Sequence, residues 1–134
     1  MTGSEFEKRF CKWLSDRGYW ALNIPRSKAG QQPFDVVAMN GNFVIVADCK
    51  VISGSNIRFP LERIEDNQWL AFDKVSKRTK AFPCIACYMP KYDEMFIIPY
   101  FELAIARENK QSSISLDAAK HNAGEMLGKI ERLW

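Results

Sequence analysis

No stretch of this 134-residue chain is apolar for long enough to cross a bilayer. Its opening, Met1-Thr2-Gly3-Ser4-Glu5, lacks the basic-then-apolar order of a signal peptide, so a cytoplasmic protein is expected. Histidine occurs once, at His121, and no second cysteine pair accompanies Cys84 and Cys87 at zinc-site spacing, so a structural zinc fails on ligand count. In a reducing compartment all four cysteines are expected as free thiols. Cys84 and Cys87 lie in an apolar, strand-like run, where an offset of three sends their side chains to opposite faces. There is no internal repeat and no linker-like stretch, so residues 1–134 are expected to form one domain. The apolar content of 47% and charged content of 26% are those of an ordinary globule and give no sign of disorder.

The net charge of +3 is mild, and its distribution is more informative. Lys8, Arg9, Lys12, Arg17, Arg26 and Lys28 crowd the first quarter, and Lys74, Lys77, Arg78 and Lys80 form a second cluster. Clusters of this kind suit a polyanion, although either one alone is also ordinary solvated surface.

Phe6, Phe10, Trp13 and Leu14 recur at helical spacing up to Gly18, which predicts an amphipathic helix over residues 4–17. Tyr19 to Ile24 reads as a short strand and Pro25 to Pro33 as loop. Phe34–Met39 and Phe43–Val51 read as strands joined at Asn40-Gly41, a dipeptide favoured in hairpin turns. The second of these is apolar on both faces, which predicts a central position in a covered sheet. A polar loop leads through Phe59-Pro60-Leu61 into a helix ending near Ser76, with Leu61, Ile64, Gln68, Ala71 and Val75 as its buried stripe. Two more strands, 81–89 and 94–99, precede a short helix over 101–107. Residues 110–115 read as loop or a short edge strand, and the tail has no clear pattern. The order α-β-β-β-α-β-β describes one mixed α/β domain.

The chemistry concentrates in Phe34–Lys50. Asp48 and Lys50, two apart on a strand, share a face, while Cys49 points to the opposite layer. Pairing centred on Asn40-Gly41 brings Asp35 near Val46–Asp48, within reach of a shared ion. Two carboxylates with a backbone carbonyl, here that of Cys49, form a hard-oxygen site suited to Mg²⁺, with Mn²⁺ able to substitute. The adjacent lysine can position or deprotonate a water, and the metal offsets the charge developing on a phosphate. A surface salt bridge between Asp48 and Lys50 is the plainer reading of the tripeptide taken alone. Glu108-Asn109-Lys110 has the same form in a polar loop, whereas Asp48-Cys49-Lys50 ends an apolar strand with a second acid on the strand before it. Two further polar residues interrupt apolar faces: Glu7, beside Phe10, Cys11 and Leu14, and Gln68 in the later helix. Each alone fits a satisfied core polar group, and convergence on one metal site accounts for all of them together.

This pattern resembles the PD-(D/E)XK nuclease superfamily, and within it the RecU-type Holliday-junction resolvases, over Gly3 to about Met126. Gly3-Ser4-Glu5-Phe6-Glu7 resembles the opening glycine and active-site glutamate, which falls on Glu7. Pro33-Phe34-Asp35 and Asp48-Cys49-Lys50 resemble the two catalytic strands. Phe59-Pro60-Leu61 and Asn67-Gln68 resemble the Phe-Pro-Leu and His-Gln elements, which assigns Gln68 to the conserved glutamine. Lys110-Gln-Ser-Ser-Ile114 and His121-Asn-Ala-Gly124 resemble the C-terminal segment. Asp48 stands where glutamate is more usual, Asn67 replaces the histidine, and the long stalk before the first catalytic strand is nearly absent. Ser27 matches a serine of the archaeal resolvases.

The resemblance implies a restriction-endonuclease-like fold, a mixed central sheet flanked by helices. It also implies a Mg²⁺-dependent homodimer that cuts four-way DNA junctions, with catalytic residues Glu7, Asp35, Asp48, Lys50 and Gln68. Arg26, Ser27, Lys28, Lys74, Lys77 and Arg78 are the expected DNA contacts, and a nucleoid-associated location follows. Two other readings stay open: a nuclease acting on flaps, ends or specific duplex, and a DNA-binding module that keeps the fold without catalysis.

Overall fold

A computed structural model describes residues 1–26 and 32–133. Thr2 starts the first helix, α1 (Gly3–Asp16), by accepting the Glu5 N–H at 3.1 Å. Its inner stripe is Phe6, Glu7, Phe10 and Leu14, as the helical spacing requires. Gly18 ends the run at φ +93°, a conformation that other residues adopt at a cost.

Three antiparallel strands follow: β1 (Trp20–Asn23), β2 (Val36–Asn40) and β3 (Phe43–Val51). The β2–β3 loop is Gly41-Asn42, one residue later than expected, because Asn40 still pairs with Phe43. Gly41 takes φ +60°, as the first loop position of a II′ hairpin demands, so the glycine opens the turn and does not close it.

β4 (Arg58–Pro60) leads through a single 3-10 turn, Leu61–Arg63, into α2 (Asp66–Arg78). Leu61 and Ile64 are buried as expected, but they precede the helix. Within α2 the inner residues are Gln68, Trp69 and Phe72, while Ala71 and Val75 are half-buried. The expected stripe was anchored on residues outside the helix, so its phase was displaced by about one position.

β5 (Phe82–Met89) runs parallel to β3, and β6 (Glu94–Pro99) returns antiparallel to it. The sheet order β1-β2-β3-β5-β6 puts β3 at the centre, as its two apolar faces predict. α3 (Tyr100–Glu108) follows, and β7 (Ser113–Ser115) pairs with β4 in a separate two-stranded ribbon. The tail then forms α4 (Ala118–His121) and α5 (Ala123–Leu133).

Helices cover both faces of the sheet. On one, Phe6, Phe10 and Leu14 of α1 and Met126, Leu127 and Ile130 of α5 meet Ile45, Ala47, Cys84 and Ala86. On the other, Trp69, Phe72 and Leu103 meet Ile85, Cys87 and Ile98. Each of these large side chains contributes about 1.5–3 kcal/mol through burial. Cys84 and Cys87 thus lie in different layers, and all four thiols are free. His121 is not isolated: it is buried, accepts the Asp117 N–H on Nδ1 at 3.0 Å, and lies 2.8 Å from Glu102 through Nε2. It ties the tail to α3. Among the described residues no helix is long and apolar enough to cross a membrane.

Candidate active site

The last two residues of β3, Lys50 and Val51, are half-buried, where the strand runs out of the core. There the even-numbered side chains, Asp48 and Lys50, enter a polar cleft of about 590 Å³ lined also by Glu7, Arg26, Asp35 and Gln68. Of the five residues expected to act chemically, all five line this one cleft.

Asp48 is 3% exposed, and its Oδ2 has no hydrogen-bond partner. The Lys50 ammonium stands 3.3 Å from that oxygen, close enough for charge attraction but outside hydrogen-bond geometry. Burial raises the Asp48 pKa most; Lys50 lowers it and Asp35 raises it, and the balance lies at about 8 against an ordinary 3.8. Asp35 leaves the regular β2–β3 ladder just before Val36: its N–H donates to Ala47 O at 2.9 Å. Its Oδ2 accepts the Cys49 N–H at 2.8 Å, which fixes the carboxylate beside Asp48 and leaves Oδ1 free of that bond. The Cys49 thiol points into the α1 layer, as the strand alternation predicts.

α1 delivers Glu7 from the other side of the sheet. Glu7 is 4% exposed whereas Glu5 is on the solvated face. Burial and Asp35 push the Glu7 pKa up, and Arg26 opposes them. Arg26 Nη2 donates to Glu7 Oε2 at 3.0 Å while most of its side chain remains exposed. This cation, expected as a DNA contact, is therefore held at the mouth of the cleft by an acid of the site. Ser27 and Lys28 lie outside the described residues. Lys74, Lys77 and Arg78 are exposed on α2 and do not line the cleft, and Lys77 pairs with Asp73 at 3.1 Å.

Gln68 is buried in the cleft wall, where its Oε1 accepts the Glu65 N–H at 3.0 Å. It therefore caps α2, and its two amide N–H donors remain to serve the cleft. The Glu65–Gln68 spacing is a capping signal, distinct from the apolar periodicity of the helix. Arg63 was missed: it lines the cleft and donates to Val51 O at 3.3 Å. Its position two residues after the Phe-Pro-Leu element was the available clue.

Among the described residues no three histidine, cysteine or acidic side chains are grouped closely enough to cage a metal. A magnesium ion does not need such a cage, because it is ordinarily held by one or two carboxylates with waters and phosphate oxygens. The unpartnered Asp48 Oδ2 beside Asp35 fits that mode. The donors are all oxygen, which excludes a preference for soft metals.

The family model described as archaeal Holliday junction resolvase (Hjc) matches residues 1–129. A solved structure of Archaeoglobus fulgidus Hjc, a Holliday junction resolvase from an archaeal hyperthermophile, is similar at 19% identity and a TM-score of 0.56. The similarity covers 72% of this chain and 76% of that one, and at this identity it speaks to the fold. No curated protein matches in sequence.

Proposed function

The chain belongs to the archaeal Holliday junction resolvase family, and on that premise we propose that it hydrolyses phosphodiester bonds of four-way DNA junctions at the Glu7–Asp35–Asp48–Lys50 cleft. The observation that carries the choice of site is the buried Asp48 oxygen, unpartnered and 3.3 Å from Lys50. A surface ion pair leaves no carboxylate oxygen dry and unsatisfied, since such an oxygen costs stability unless a ligand uses it.

Asp35 and Asp48 would hold the metal, Mg²⁺ or in its place Mn²⁺, with Glu7 completing the acidic rim and the Cys49 carbonyl as a further oxygen donor. The bound ion supplies charge stabilisation for the phosphate under attack. Lys50, 3.3 Å from Asp48, would orient the attacking water and stabilise negative charge on the phosphate. Gln68, fixed by its bond to Glu65, offers amide N–H groups to water or phosphate. Arg26 at the mouth, and Lys74, Lys77 and Arg78 along α2, would follow the DNA backbone, contacts that give affinity more than sequence preference.

The finer resemblance to RecU-type enzymes rests on the sequence elements Phe59-Pro60-Leu61 and Asn67-Gln68, whereas the matching family model is the archaeal one. Two cuts on one junction also call for two copies of the site, which a homodimer supplies. The test is cleavage of labelled junction, flap, duplex and single-stranded DNA with and without Mg²⁺. Symmetric junction cuts that require the metal are expected. Equal cutting of plain duplex would reduce the reading to a general nuclease.

A further inference from the structure

Among the described residues, three cations line the cleft, and two of them are already engaged by its acids. Arg26 binds Glu7 at 3.0 Å, and Lys50 stands 3.3 Å from Asp48. Arg63 is the exception, for it forms no ion pair among the described residues. Its exposed side chain donates from Nη1 to Val51 O at 3.3 Å, which leaves the other guanidinium donors free. Glu65, the acid of the cleft closest to it in the chain, forms a capping box with Gln68 at the start of α2. The position of Arg63 matters as much as its free charge. α1, which brings Glu7 and through it Arg26, packs on one face of the sheet. Leu61 and Ile64, on either side of Arg63 in the chain, are buried in the core of the other face. Asp35, Asp48 and Lys50 lie between, on the strands themselves. The two guanidinium groups therefore stand on opposite walls of the cleft, with the Asp35 and Asp48 carboxylates as its floor. Asn67 and Gln68, in the first turn of the 13-residue helix α2, line the same wall as Arg63. The helix N-terminus adds partial positive charge there.

We propose that Arg63 is a substrate-positioning residue that grips a DNA phosphate flanking the scissile one, on the side away from Arg26. The proposal rests on the resolvase reading, since a nucleic-acid strand is what sets phosphates in series across the cleft. A guanidinium holds a phosphate through two parallel N–H bonds, and an unpaired one loses no ion pair in doing so. Arg26 must first leave Glu7, so the two walls differ. Val51, whose carbonyl orients Arg63, follows Asp48 by three residues, about 10 Å along β3. That offset seats the guanidinium beyond a phosphate held at Asp48 and over its neighbour on the strand. With one cation on either side of the acidic floor, the strand is held so that a single bond meets the reacting groups.

Junctions carrying one neutral methylphosphonate, moved position by position past the cut, test this with the full-length protein. Binding is measured in chelator for the natural chain, Arg63→Gln and Arg26→Gln. At the phosphate that Arg63 grips, neutralisation should weaken binding of the natural chain about tenfold and that of Arg63→Gln less than about twofold. The position coupled to Arg26→Gln should lie on the other side of the cut. Arg63→Gln should also reduce the slope of log K against log salt by about one. Arg63→Lys should recover that slope, which a merely structural role would not predict. Circular dichroism checks the fold, with Arg63→Met as the substitute should the glutamine variant fail. An Arg63→Gln protein as sensitive as the natural chain at every position would overturn the proposal, and so would coupling on the Arg26 side of the cut. Either result leaves the resolvase reading standing if the natural chain cuts junctions in Mg²⁺. Coupling at the expected phosphate in a chain that cuts no junction keeps the contact and sinks the resolvase reading. A natural chain that binds no junction sinks both.

Discussion

The Asp48 carboxylate and the Lys50 ammonium lie 3.3 Å apart at the buried end of the central strand, and Asp48 Oδ2 still makes no hydrogen bond. That combination ties the stability of the cleft to pH, because burial favours the neutral form of Asp48.

The first prediction follows from the sign of that perturbation. The Asp48 pKa is raised from 3.8 to about 8, chiefly by burial. Between those values the native state binds a proton that the unfolded chain releases, so the contribution to stability falls as pH rises through the window. The loss amounts to a few kcal/mol at most, on the order of one per pH unit crossed. Metal-free protein should melt at a lower temperature at pH 8 than at pH 5.5, and Asp48→Asn should flatten the slope. Saturating Mg²⁺ should recover more stability at pH 8 than at pH 5.5, because the proton and the ion compete for the same oxygens. Thermal melts in chelator and in Mg²⁺ measure both effects.

The second prediction separates two acids of one helix. Glu7 lies buried between Asp35 and Arg26, and Glu5 lies in solvent with only its backbone N–H engaged by Thr2. Glu7→Gln should lower the junction-cleavage rate by about a hundredfold or more, the scale of losing a positioned acid–base group. Glu5→Gln should leave it nearly unchanged. Single-turnover rates at saturating enzyme make the comparison. The reverse ranking would show that α1 presents a different face to the DNA.

Much of this arrangement was legible in the residues. The apolar run Phe43–Val51 marked the central strand, and its period of two put Asp48 and Lys50 on one face. The helical period of α1 distinguished Glu7 from Glu5. What the pattern could not supply was phase at the joints. Leu61 and Ile64 were counted into α2 although the backbone there is a 3-10 turn, which rotated the expected stripe away from Trp69 and Phe72. Asn40-Gly41 marked a hairpin, but the choice between I′ and II′ turns moves the loop by one residue and the pairing by two, and it depends on the strands as a whole. The tail was opaque because His121 and Asn122 act through tertiary partners. His121 reaches Glu102, and Asn122 donates to Glu94 at 3.2 Å while its Oδ1 accepts the Gly124 N–H.

The third prediction concerns that tail. His121 is 4% exposed and is bonded at both ring nitrogens, one to the Asp117 N–H and one to Glu102. Lys120 holds the other Glu102 oxygen at 2.7 Å. Replacing His121 with phenylalanine deprives the half-buried Glu102 carboxylate of a partner, which costs about 1–3 kcal/mol, while the N–H of the exposed Asp117 turns to water. Urea unfolding should show that loss as a lower midpoint. The cleavage rate of the protein that remains folded should stay within a small factor of the natural one, because His121 does not line the cleft.

The last prediction concerns how the DNA is gripped. In the free protein Arg26 is bound to Glu7 at 3.0 Å, yet most of its side chain is in water at the cleft mouth. A phosphate entering the cleft competes with Glu7 for that guanidinium, and Arg favours phosphate through its paired donors. Each cation that neutralises a phosphate releases a counterion, so its removal lowers the salt dependence of binding as well as the affinity. Arg26→Gln should therefore weaken junction binding and reduce the slope of log K against log salt by about one, with a further step when Lys28 is neutralised too. The same substitution deprives Glu7 of the cation that lowers its pKa, so the cleavage pH profile should shift to higher pH. Junction-binding titrations across a salt series, together with rate measurements from pH 6 to 9, test the two effects separately. A salt slope unchanged in Arg26→Gln would mean that Arg26 serves only to hold Glu7 and makes no phosphate contact.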